Sequence, residues 1–161
     1  MRVYVAQNEP FTLMYDSWKT GSRALVDLDP EKGRHEAEVV LASVLSNRKP
    51  PYSLTGGLFD TLKASGGDFY TATNNEIVHW MLQFRNREGY DLLPAACVAV
   101  TALAKAVETD AVGKDEYVML NCTGGGVLGA MSRGLVLKEP DLVLSPDLPA
   151  EEVVRQVNAL F

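Results

Sequence analysis

An α/β fold with a largely parallel sheet flanked by helices is what this sequence predicts, and three observations predict it. Short apolar, strand-prone runs recur along the chain, at residues 3–6, 69–72, 117–120 and 142–144. Between them lie longer segments whose apolar residues fall at helical spacing, and this alternation of strand and helix favours parallel pairing. Third, two of these runs (3–6 and 117–120) end abruptly in polar or glycine-rich turns, as strands do where they leave a core. At 161 residues, 47% hydrophobic and 22% charged, the chain has the length and composition of one globular domain, residues 1–161, able to bury a substantial core.

The elements follow in order. Val3, Tyr4, Val5 and Ala6 read as a buried strand almost at the first residue, an abrupt opening that suggests preceding sequence in a longer chain. Gln7, Asn8, Glu9, Pro10 and Phe11 come next, where α/β proteins place ligand-facing loops; a functional role and a plain solvated loop are both compatible with them. Leu13 to Trp18 starts a helix that Gly21 ends. After a loop at residues 27–30, Ala37, Val40, Leu41, Val44 and Leu45 fall at i, i+3, i+4, i+7 and i+8, which predicts an amphipathic helix running to Asn47. His35 at its start reads as solvated.

Leu58, Phe59 and Leu62 belong to a further helix, and Phe69 to Ala72 to a strand. Thr73 and Glu76 have the spacing of a capping box, with Ile77, Trp80, Met81 and Phe84 on one helical face behind it and Gly89 at the end. Pro94 opens a helix of small apolar residues, 95–107, whose lack of a polar face implies burial in a larger body. Val127 to Ser132 supplies a short helix, and Pro149 starts a last one with Val153, Val154, Val157, Leu160 and Phe161 expected to face inward.

Two segments carry candidate chemistry. In Asn121-Cys122-Thr123-Gly124-Gly125-Gly126 the glycines allow positive φ or close backbone approach. Successive N–H groups there, with a helix behind, make a concave anion site; a simple turn of the chain fits equally. The spacing is neither G-x-G-x-x-G nor a P-loop. In the Pro-rich stretch 47–57, Arg48, Lys49, Ser53 and Thr55 offer donors beside Gly56 and Gly57, so it is either a rim that grips an anion or a stiff connection.

The formal charge of −6, without a Lys/Arg stripe, argues against nucleic acid and anionic membranes as partners. No apolar run approaches the ~20 residues needed to span a bilayer. Cys97 and Cys122, in different elements, form neither a metal-site pattern nor a disulfide framework, so no metal is expected and a reducing, cytoplasmic setting is.

Taken together, Gln7-Asn8-x-Pro10-Phe11, the block Asn47-Arg48-x-Pro50-Pro51-Tyr52-Ser53-x-Thr55-Gly56-Gly57-Leu58, the helix start Leu93-Pro94-Ala95-Ala96, and Leu120-Asn121-x-Thr123-Gly124-Gly125-Gly126 resemble cysteate synthase. That is a pyridoxal-phosphate enzyme of the threonine synthase superfamily, and the resemblance covers its C-terminal portion. It implies a fold-type II architecture, a place in coenzyme M biosynthesis, and β-replacement on O-phosphoserine by sulfite to give L-cysteate. A threonine synthase would take O-phosphohomoserine instead. By the same resemblance Thr123 is the hydroxyl that hydrogen-bonds the cofactor's pyridine nitrogen, with Asn121, Gly124, Gly125 and Gly126 shaping that wall. Arg48, Ser53 and Thr55 are where contacts to the substrate anion are expected. Leu93 and Ala96 depart from the family's Glu-Pro-Ser/Ala-Ser-Ala helix start, which weakens a cofactor contact there.

The family's Schiff-base lysine and phosphate loop lie upstream of the matched region, so no catalytic residue is assigned. None of the seven lysines (19, 32, 49, 63, 105, 114, 138) stands in a matching motif. The expectation is a chain inactive alone, whose partner is the missing N-terminal part of the enzyme, and which self-associates to cover apolar surface. A small-anion-binding module and a non-catalytic interaction domain are the alternatives.

Overall fold

The computed structural model describes every residue except Leu137. The fold is α/β. Strand β1 (Tyr4–Asn8) is followed by helices α1 (Leu13–Lys19), α2 (Pro30–Val39) and α3 (Leu58–Ser65), strand β2 (Asp68–Ala72), then α4 (Asn74–Glu88), α5 (Pro94–Glu108), α6 (Val127–Ser132) and α7 (Ala150–Asn158). The described backbone divides into two compact units, Met1–Gly129 and Ala130–Phe161.

In the first unit β1 and β2 pair in parallel, with Tyr4 opposite Asp68 and Asn8 opposite Ala72. The sheet has two strands among the described residues, fewer than the alternation of segments predicts. Helix α5 supplies the floor of the core: Ala96, Cys97, Val98 and Val100 pack with Ala72, Ile77 and Leu92. Its small side chains let helix and sheet approach closely, which is why the sequence can be apolar nearly all round. Helix α4 is fixed by its capping box: the Thr73 hydroxyl accepts from the Glu76 N–H, and the Glu76 carboxylate accepts from the Thr73 N–H. A second cluster, Phe11, Leu13 and Val40, sits under α1 and α2.

Four expectations are corrected. The helix of this region spans Pro30–Val39, rather than running from Ala37 to Asn47. It is capped by Asp29, whose carboxylate accepts from Lys32 N–H at 2.7 Å. It stops because the next amides are claimed elsewhere: Leu41 N–H by Asn74 Oδ1 and Ala42 N–H by Asn8 Oδ1, while Asn74 Nδ2 donates to Val39 C=O. Residues 117–120 are not a strand; they run without a ladder partner among the described residues, with Tyr117 and Met119 fully exposed to water. Residues 142–144 are likewise unpaired. In the second unit α7 does form behind Pro149, but Val154, Val157, Leu160 and Phe161 are exposed rather than inward-facing.

Candidate functional site

The glycine loop is held by a short antiparallel contact with the turn that precedes α5. Leu93 N–H donates to Gly124 C=O at 3.0 Å, Gly126 N–H donates to Asp91 C=O at 2.7 Å, and Leu92 and Gly125 form the bridge between them. Each glycine has a local reason. A Cβ on Gly125 would sit 2.3 Å from the Asp91 carbonyl oxygen, one on Gly124 would press 3.0 Å from the Leu93 side chain, and Gly126 has φ +76. The amides that open α6 are occupied as well. Leu128 N–H donates to the Asp91 carboxylate at 3.1 Å, which with the neighbouring amides of Gly129 and Val127 holds that carboxyl below its usual range. The amides at the helix start behind this loop therefore carry an internal anion.

Beside the loop lies an open cleft of about 620 Å³, lined by the end of α4 and its turn (Phe84, Glu88, Tyr90, Asp91, Leu92) and by residues 122–126. Thr123 is exposed on its wall. Asn121, two residues earlier, lines a different cavity: an apolar groove of about 790 Å³ between β1, α5 and residues 115–121. The motif thus straddles two concavities rather than facing one.

Arg48, Ser53 and Thr55 are exposed and line neither cavity. Their segment is organised around Tyr52, fully buried, whose hydroxyl donates to Ser22 C=O and whose ring meets Phe59 edge-on. Gly56, at φ +73, donates its N–H to Asp60, which also pairs with Arg23. The turn is fixed by internal contacts, and the three polar side chains project from a separate surface.

The polar residues at the end of β1 are structural. Gln7 Oε1 accepts from the Met14 and Tyr15 amides and so caps α1 from the neighbouring strand. Asn8, 2% exposed, donates to Ala72 C=O and Asn74 Oδ1 and accepts from Ala42 N–H. None of the lysines lines the Thr123 cleft. Lys105 spans from α5 to the Thr71 carbonyl and the Glu76 carboxylate at 2.8 Å each. Sequence reading missed Glu88, Tyr90 and Asp91 as cleft residues, since no spacing marks a helix end as half of a cleft. No group of three or more His, Cys, Asp or Glu among the described residues is placed to hold a metal, and no helix among them is long and apolar enough to cross a membrane.

No protein-family model matches the chain. Among curated proteins it is similar to the cysteate synthase of Methanosarcina acetivorans (38% identity over 155 residues, 94% of this chain and 37% of the relative). Comparable similarity extends to the cysteate synthases of Methanocella arvoryzae (41% identity; 97% of this chain, 38% of the relative) and Methanocella paludicola (37% identity; 98% and 37%). The chain thus spans little more than a third of the length of the curated relatives it matches.

Proposed function

We propose that this chain, which belongs to the cysteate synthase family, is the C-terminal part of a pyridoxal-phosphate enzyme that makes L-cysteate from O-phosphoserine and sulfite. The observation that carries the reading is similarity over nearly the whole chain to proteins of that name, with the Thr-Gly-Gly-Gly loop standing open on a cleft. The cleft's 620 Å³ falls within the ~300–1,000 Å³ usual for small-molecule sites.

The residues present fit one wall of a cofactor site. Thr123 offers an exposed hydroxyl, a neutral partner suited to a pyridine nitrogen, beside the packed loop of Gly124, Gly125 and Gly126. No lysine lines the cleft, and Asp91 already takes the amides at the start of α6, so the covalent anchor and the phosphate cradle belong to another part of the enzyme. When bound, pyridoxal phosphate supplies the electron sink for chemistry at the substrate's α and β carbons. This chain's own contribution is to orient the ring through Thr123 and to line one side of the cleft with Phe84 and Tyr90. Arg48, Ser53 and Thr55, being outside the cleft, serve the substrate anion only if the rest of the enzyme brings that surface to it. The setting is a cytoplasmic one, and the same internal carboxylate speaks against a free-standing anion-binding module.

The test is complementation. Mixed with pyridoxal phosphate, the chain alone retains no visible absorbance after dialysis. Joined to the unmatched portion of the Methanosarcina acetivorans relative, it gains that absorbance and forms cysteate from O-phosphoserine and sulfite. Conversion of O-phosphohomoserine to threonine instead would assign the threonine synthase reaction. Thr123→Val in the joined protein keeps the fold and weakens cofactor retention by about 0.5–1.5 kcal/mol, the worth of one hydrogen bond. Unchanged retention in that variant refutes the role of Thr123.

A further inference from the structure

We propose that the groove between β1 and residues 115–121 is a slot for one β-strand, supplied by the portion of a cysteate-synthase chain that this sequence does not contain. The inference rests on the reading of the chain as part of that enzyme and says where the remainder attaches.

Strand β1 has one partner, β2, so its other edge is unpaired among the described residues. Glu9 N–H donates to Ala72 C=O, which sets the odd-numbered residues of β1 toward β2. Backbone groups alternate sides along a strand, so Tyr4 and Ala6 present their N–H and C=O to the groove. Across the groove runs residues 117–120, apolar, strand-prone in sequence and unladdered. Its exposure alternates with period two: Tyr117 106% and Met119 86% against Val118 48%, with Leu120 packed on the core. That is the pleat of a sheet strand whose hydrogen-bonding neighbour is absent. The floor is Ala99 and Leu103 of α5, one helical turn apart and only partly buried.

The dimensions suit a single strand. A residue in a packed parallel sheet takes up about 160 Å³, from roughly 4.8 Å between strands, 3.3 Å along the strand and 10 Å between layers. The groove's 790 Å³ therefore holds roughly five residues, which is the length of β1. Parallel sheets are buried on both faces, so an exposed pleat beside an open slot is a sheet interrupted rather than finished. The β1 of a second copy does not suit the slot, because β2 already takes one of its edges and the slot needs a strand with both edges free. The relatives carry well over half of their length outside the matched region, ample to supply one strand.

Hydrogen–deuterium exchange tests the assignment, comparing the isolated chain with the chain joined to the unmatched portion of the Methanosarcina acetivorans relative. The Tyr4 and Ala6 amides are expected to exchange fast in the isolated chain and at least ~100-fold slower in the joined protein. Ala6→Pro removes a groove-facing donor and no β2 bond, so the isolated variant melts as the parent does, while the joined variant loses that protection. If Ala6→Pro does not fold, Leu103→Glu, which places a charge on the groove floor, is expected to abolish protection in its stead. Fast exchange of Tyr4 and Ala6 in a joined protein that retains pyridoxal phosphate overturns the slot and leaves the enzymatic reading standing. Protection without cofactor retention supports the slot and refutes that reading's cofactor site. Protection that grows with concentration in the isolated chain, with a dimer in solution, overturns the proposed occupant in favour of a second copy.

Discussion

Replacing Asn8 with alanine separates a structural from a ligand-facing strand end. In the structure its Oδ1 accepts from Ala42 N–H at 2.8 Å, and its Nδ2 lies 3.0 Å from acceptors on Ala72 and Asn74. Two of the partners keep other bonds: Ala72 C=O still accepts from Glu9 N–H, and Asn74 Oδ1 from Leu41 N–H. Ala42, 2% exposed, keeps none that replaces the lost one, so its amide is orphaned. An orphaned buried amide costs about 1–3 kcal/mol, and the lost Nδ2 bonds add about 0.5–1.5 kcal/mol more. For a chain of this size each kcal/mol lowers Tm by about 2–4 °C, so Asn8→Ala is expected to melt roughly 5–15 °C early by circular dichroism. Asn47→Ala is the control; Asn47 is exposed and bonds only the Lys49 amide two residues on, so its change stays within about 0.5 kcal/mol. Equal melting of the two variants would falsify the assignment of Asn8 as a pin between β1, α4 and the end of α2.

Gly125→Ala drives a methyl group toward the Asp91 carbonyl, 2.3 Å away, and is expected to cost about 1–3 kcal/mol; Gly113→Ala, whose nearest neighbour would be Glu116 Cγ at 3.9 Å, leaves the melting curve in place. Burial raises the Glu76 carboxyl, but hydrogen bonds from Lys105 and Thr73 outweigh it and hold the group below the ordinary glutamate range. Stability from a depressed carboxyl is present above its unfolded pKa and is lost as pH falls through the folded one. The melting advantage of the parent over Glu76→Gln should therefore hold at neutral pH and shrink as pH falls below the ordinary glutamate range, and a constant gap would contradict the pairing. Burial, with Cys122 nearby, pushes the Cys97 thiol up to about 11, whereas Cys122 is exposed. One equivalent of maleimide should react quickly with the folded chain, at Cys122 by peptide mapping, and the second only after unfolding; rapid labelling of Cys97 would mean α5 is not packed as described.

What the sequence alone determined is the local part of the fold, because that part is written in neighbouring residues. The Thr73–Glu76 box, Pro94 at the start of α5 and Gly89 past the end of α4 all did in the structure what their spacing predicts. The boundary of α2 was not legible, since it ends where amides of residues 41 and 42 turn to Asn74 and Asn8, side chains 33 and 34 positions away. Nor did the glycine triplet announce its use. Close approach to the Asp91 carbonyl, and Asp91 filling the start of α6, depend on a turn some 35 residues earlier folding against it. The run at 117–120 shows the same limit from the other side. Its alternation is that of a strand, but a strand exists only with a neighbour to take its hydrogen bonds, and tertiary structure decides whether one is there.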